Sequence, residues 1–302
     1  MRKRLLMALA MGSTVLVAAC GGGGSGSGST TTASACPTDA TTPSTKVAAP
    51  PAASLLTAGT LTFGSDISYP PQEFYPTGCA GNPPDGFDLD VAKALAAHMG
   101  LKFAVVDQKF DGIIPALSAK KYDAIISSMT ITDERKKAVA FVPYFSAGES
   151  FVTLSSSSRN PQTIADLCGL KVAVEKGTTE ESDAGDANDA AKKGPCASKP
   201  IQFKDLSFDK DTQALEALKK GTADVHFTDS PVASYELLKN TGFKITNKTV
   251  QSTAPEGIAT RLADPAMGKA MTAAFEAMKT DGTYKKLLDK WQLAAWDITK
   301  AS

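Results

Sequence analysis

Residues 115–128 read PALSAKKYDAIISS, and residues 216–229 read EALKKGTADVHFTD. Each stretch passes from a helical segment through a polar turn into an apolar run, Asp123 to Ser127 in one and Ala223 to Thr228 in the other. Such runs suit strands buried on both faces of a sheet. Laid over one another, the stretches share Ala, Leu and Asp, and Ser128 falls opposite Asp229. The shared letters are too few to establish duplication. They do point to two supersecondary units with equivalent strand ends.

Working outward, strand and helix signals alternate on both sides. Thr60 to Ser65 reads as a strand, Phe87 to Met99 as a helix closed by Gly100, Leu101 to Val106 as a strand, Ile113 to Ala119 as a short helix and Thr130 to Val139 as a helix. A second round has strand Lys171 to Val174, a polar helix Thr179 to Lys193, strand Ile201 to Phe203 and helix Asp211 to Lys220, which Gly221 closes. This order predicts an α/β fold with helices on the faces of a sheet. Pro265 to Lys279 then places Met267, Met271, Phe275 and Met278 on one helical stripe, and a further helix carries Tyr284, Leu287 and Trp291. That stripe reads as core. These helices need a lobe to cover, which predicts a return of the chain to the first lobe near Thr249 to Pro255.

Ligands of open α/β sheets sit outside the carboxyl ends of the strands. The positions to inspect are therefore Ser65, Asp66 and Tyr69, then Phe110, Ser127 to Thr130, Glu175 to Thr179, and Asp229.

The rest of the 302 residues narrows the function. There are 32 basic and 32 acidic side chains and a pI near 6.7, so no basic excess exists to neutralise phosphates, and nucleic acid is a poor partner. Only His98 and His226 are histidines, which disfavours histidine-based hydrolase and zinc chemistry. No metal or cofactor is expected. Arg2, Lys3 and Arg4 precede an apolar stretch, Leu5 to Val17, that is too short to span a bilayer and suits an export signal over residues 1–19. Residues 20–54 are mostly small residues, Thr and Pro and read as a tether, spanning about 30 Å as a flexible coil. In an exported chain, Cys36, Cys79, Cys168 and Cys196 are candidates for disulfides. Three pairings are open; Cys168 with Cys196 and Cys36 with Cys79 are favoured because each keeps to one part of the chain.

The run Val17-Ala18-Ala19-Cys20 resembles a bacterial lipobox, which makes Cys20 the lipid-modified residue and places the protein on the outer side of a bacterial membrane. The body from about Leu61 to Trp291 resembles the bacterial extracellular solute-binding proteins of the polar amino acid type, components of ABC importers. SDISYPP at Ser65, GFDLDVAKAL at Gly86, FDGIIPALSAKKYDAIISSMTITDER at Phe110, LKVAVEKGTT at Leu170, ALKKGTADVHFTD at Ala217 and DGTYKKLLDKW at Asp281 carry the resemblance. It implies a two-lobed, type II Venus-flytrap fold with two crossover strands at a hinge, a membrane permease as partner, and a monomer. The expected lobes are 55–147 with 253–302, and 148–252.

An amino acid buried in a cleft needs each of its charges paired. Arg135 is the expected carboxylate partner, helped by donors around Ser127, Ser128 and Thr130, while Thr178 and Thr179 serve either as further donors or as helix caps. Asp229 is the expected ammonium partner. The resemblance places Tyr69 and Phe110 along the ligand's side chain, and Asp66 and Glu175 at its end. Those two acids have only Lys176 close in sequence, so the charge count favours a basic ligand over glutamate, with glutamine as the alternative. Gln72, where such proteins commonly carry an apolar or aromatic residue, and Cys79 in a longer loop depart from the pattern. The rival classes are a dehydratase-like enzyme on the same fold, for which Glu175 is the nominated acid or base, and a sensory ligand domain without transport.

Overall fold

The computed structural model describes residues 43–300 except Ala80. Cys20 and Cys36 lie outside the described residues, and with them the lipid anchor and the Cys36–Cys79 link. The chain runs β1 (Thr60–Ser65), α1 (Phe87–His98), β2 (Lys102–Asp107), α2 (Ile113–Ser118), β3 (Ala124–Ile125), α3 (Asp133–Lys136) and β4 (Val139–Leu154). It continues through β5 (Val172–Glu175), α4 (Thr179–Asn188), β6 (Ser207–Phe208), α5 (Asp211–Lys219), β7 (Val225–Asp229) and α6 (Ser230–Lys239). Next come β8 (Phe243–Ile245), β9 (Gln251–Arg261), α7 (Pro265–Thr280) and α8 (Thr283–Trp291).

The strands follow the order β2-β1-β3-β9-β4-β7-β5-β6, with β8 beside β4. Two long strands join the halves. β9 pairs β3 through Ala259 and Thr260, and β4 pairs β9 from Val139 opposite Arg261 to Glu149 opposite Gln251. β4 then goes on to pair β7 through Glu149 to Val152. The parallel pairs β1–β2, β1–β3 and β5–β7 lie on either side of this antiparallel bridge.

Each half has its own core. On one side Leu61, Phe63, Phe87 and Leu95 pack with Met267, Met271, Phe275 and Met278, so the methionine stripe is buried and α7 and α8 cover the first half. On the other, Phe151, Val172, Val174 and Phe227 pack with Ala184 and Cys196. Cys196 is bonded to Cys168, with Cα atoms 5.0 Å apart.

Three expected elements differ. The helix placed over Thr130 to Val139 shrinks to the four residues of α3: Thr132 caps it, accepting the Arg135 N–H at 3.2 Å, and the apolar run from Val139 is claimed by the sheet. The helix placed to Lys193 ends at Asn188, whose side chain bonds the N–H and carbonyl of Ile201 (2.7 and 3.0 Å) and folds the chain back toward Cys196. Ile201 to Phe203 is reduced to a bridge between Lys171 and Gln202, and Ser207–Phe208 takes the place beside β5. The body also begins before Ser54, the expected end of the tether. The Val47 N–H donates to the His98 carbonyl (2.9 Å), and Val47 and Leu55 pack on the first core. No described helix is long and apolar enough to cross a membrane.

Candidate ligand-binding site

The carboxyl ends of β1 and β3 from one half, and of β5 and β7 from the other, converge on one cavity. The eleven expected ligand contacts, Arg135 among them, all line it, together with Glu73 and Glu180; Ser65, Met129, Lys176 and Gly177, inspected because they also follow strands, are not part of the lining.

The first wall is tied down by short polar contacts. The Asp66 N–H donates to Ser127 Oγ (2.9 Å), and that hydroxyl donates to Glu73 Oε1 (2.7 Å). Asp66 Oδ1 accepts from the Ser68 hydroxyl (2.7 Å) and Oδ2 from the Phe110 N–H (2.9 Å). Ser128 has a left-handed backbone (φ 40°) and its N–H donates to Asp88 Oδ2 (2.8 Å). Arg135 Nη1 donates to the Thr130 carbonyl (2.8 Å), and the guanidinium carbon lies 5.2 Å from the Phe110 ring centroid. A guanidinium has five N–H donors, so most remain for a ligand.

The second wall closes over the first. Arg135 Nη2 donates across the cleft to the Gly177 carbonyl (3.0 Å). Gly177 has φ +81°, and a Cβ there would stand 2.9 Å from the Asp111 Cα, so both the turn and the close approach require glycine. Tyr69 Oη donates to Asp229 Oδ2 (2.9 Å) and accepts the Asp229 N–H (3.1 Å). Thr178 is the N-cap of α4: it accepts the Glu181 N–H (3.3 Å) and donates to the Glu175 carbonyl (2.8 Å), so the cap consumes its hydroxyl. The Thr179 hydroxyl donates to Glu180 Oε2 (3.3 Å).

Burial dominates the electrostatics. It pushes Glu73, Glu175 and Asp229 well above the usual carboxylate range and Glu180 up to about 7. Neighbouring acids push the same way: Asp88 on Glu73, Asp66 on Glu175, and Glu180 on Asp229. Burial also lowers Arg135, against the pull of Glu180 and Asp229. The cavity is thus short of cations. Glu175 Oε1 and Glu180 Oε1 are buried with no hydrogen-bond partner. Lys176 does not help, because it points to the surface and lies 3.9 Å from Asp209. The cation that approaches Asp66 is Lys210, which its separation in sequence concealed.

Glu73 and Glu180 escaped the sequence reading for different reasons. Glu73 sits in the loop after Pro70 and Pro71, away from any strand end. Glu180 belongs to an acidic pair in a first helical turn, where acids are expected for the helix dipole alone. The pair divides the work: Glu181 accepts the Gly177 N–H (2.8 Å), and Glu180 faces the cavity. The two histidines lie outside the cavity lining, buried on Asp281 (3.0 Å for His98) and Asp211 (2.7 Å for His226).

Residues 61–294 match the family model of bacterial extracellular solute-binding proteins, family 3. The chain belongs to this family. Among curated family 3 relatives, the ABC transporter arginine-binding protein 1 of Escherichia coli (strain K12) is 34% identical, over 76% of this chain and 90% of the relative. An ancestral arginine-binding protein bound to arginine superposes with a TM-score of 0.68 at 37% identity, covering 77% of this chain and 98% of that one. An ancestral arginine-binding protein bound to glutamine gives 0.68 at 36%, covering 78% and 99%. As a family 3 protein the chain is a two-lobed solute receptor and not an enzyme.

Proposed function

We propose that this protein captures an amino acid with a cationic side chain, arginine first, between its lobes and delivers it to the membrane permease of an ABC importer. One observation carries the reading: Arg135 is the single cation among the thirteen residues lining the cavity, against five carboxyl groups. A zwitterion with a basic side chain brings two cations and one anion. Arg135 takes the carboxylate, Asp229 with Glu180 takes the ammonium, and Glu175 takes the side-chain cation, with Tyr69 and Phe110 along the aliphatic stem. A glutamate side chain would meet these acids unpaired, at a cost of several kcal/mol when desolvated.

In this reading residues 1–19 direct export, Cys20 carries the lipid, and the lobes divide at 147/148 and 252/253, within the two crossover strands. The protein works as a monomer tethered to the outer side of the membrane. Titration calorimetry of the purified protein with arginine, lysine, ornithine, histidine, glutamine and glutamate tests the ligand; glutamate binding tenfold tighter than arginine would overturn it. Palmitate labelling of the wild type, lost in Cys20→Ala, tests the anchor.

Glutamine is the second reading. Burial holds the Glu175 carboxyl far above its usual range, and in its neutral form it can bond an amide from both of its oxygens.

A further inference from the structure

The side-chain end of the cavity already has a cation of its own. Lys210 Nζ lies 3.6 Å from Asp66 Oδ1 and 3.6 Å from Asp107 Oδ1. The two aspartates stand at the ends of β1 and β2 in the first half, while Lys210 directly precedes α5 in the second. Lys210 is not part of the cavity lining. It reaches Asp66 from outside, with its side chain one-third exposed.

Both oxygens of Asp66 are therefore engaged. Ser68, the Phe110 N–H and Lys210 all approach its two oxygens. Glu175, at 4% exposure, keeps an oxygen without a partner. We propose that Lys210 is a positioning residue for ligand specificity: it occupies Asp66 from across the cleft, so that Glu175 alone meets the ligand's side-chain charge. This inference rests on the assignment of a cationic amino acid as ligand.

Lys210 does two separable things. As an ion pair between the lobes it favours closure over any ligand, and the neighbouring pair of Lys109 with Asp209 crosses in the opposite sense. As a charge beside Asp66 it removes one negative unit from the side-chain end, which matters only to a charged side chain. The first effect scales all affinities together; the second changes their ratio.

Calorimetry of wild type, Lys210→Met and Lys210→Arg with arginine and with glutamine separates them. In Lys210→Met both affinities fall with the lost interlobe pair, but the arginine-to-glutamine affinity ratio rises at least about fivefold as Asp66 is released to the ligand. Lys210→Arg keeps the ratio within about twofold of wild type. An unchanged ratio in Lys210→Met, with both affinities reduced alike, makes Lys210 a latch only and overturns the proposal. Lys210→Gln replaces Lys210→Met if the latter lacks a cooperative thermal transition. A wild type that prefers glutamine refutes the ligand assignment, yet the shift of the ratio on substitution still decides the role of Lys210.

Discussion

The units 115–128 and 216–229 end at equivalent places and deliver opposite chemistry. The first ends in Ser127 and Ser128, whose hydroxyl and N–H are held by Glu73 and Asp88. The second ends in Asp229, whose carboxylate and N–H both meet the Tyr69 hydroxyl from the opposite wall. The acids differ too: Asp66 has donors on both oxygens, whereas Glu73 on the same wall and Glu175 and Glu180 on the other each keep a buried oxygen unpartnered. Supersecondary structure thus decides where a side chain is presented, and residue type at the strand end decides what it can hold. The strand ends of the first wall are tied down by that wall's own side chains; in the proposed reading the acids of the second are completed by the ligand's cations.

Arg135 belongs to the first wall yet touches both, so its loss should break the comparison most severely. Arg135→Ala leaves a buried ligand carboxylate unpaired and should cost about 2–5 kcal/mol, roughly 30- to 4000-fold in Kd. Arg135→Lys should not restore affinity, because an ammonium lacks the planar fork. Near-wild-type calorimetry for Arg135→Ala would dismiss the amino acid reading.

The second half also depends on its staple. Closing a loop of 28 residues between Cys168 and Cys196 should contribute about 3–4 kcal/mol through the entropy of the unfolded chain. Denaturant titration of Cys168→Ala/Cys196→Ala should show that loss, and an unchanged midpoint would remove the staple from the account.

Glu175 tests whether the second wall sets specificity. Glu175→Gln should weaken arginine at least tenfold, about 1.4 kcal/mol, and leave glutamine within about threefold. Equal losses for both ligands would make Glu175 structural.

The smallest effect is a pH slope. Burial raises Glu180 from 4.5 to about 7, so the folded protein binds this proton more tightly than the unfolded chain does. Its ionisation therefore destabilises the ligand-free fold progressively as pH rises between those values, and the cost is absent below about pH 4.5. Glu180→Gln should flatten the decline in Tm between about pH 5 and about pH 8. Arginine, which favours the ionised acids, should bind more weakly at the acid end and release protons on binding near neutral pH.

Much of this architecture is written locally. Alternation of apolar runs with Gly-closed helices places β1, α1, β2, α2, α5 and β7, because periodicity and punctuation act within a dozen residues. Strand ends then nominate Asp66, Ser128, Glu175 and Asp229 as cavity residues, since ligands of such sheets collect at carboxyl edges. Long strands were harder to read. The run of Val139 through Leu154 continues through Pro143 and Gly148, and its pairing with β9 joins residues about a hundred positions apart, so no local signal announces it.

What the amino-acid order determined by itself was the α/β alternation, the two units and the carboxyl edges where a ligand would sit. Tertiary structure alone decided which acids share the cavity and what satisfies them. Tyr69 meets Asp229 across 160 positions, Lys210 meets Asp66 across the cleft, and Glu180 faces the cavity while Glu181 accepts the Gly177 N–H. The reason is physical. A charge is priced by everything packed within a few ångströms of it, and that neighbourhood exists only after the lobes have closed.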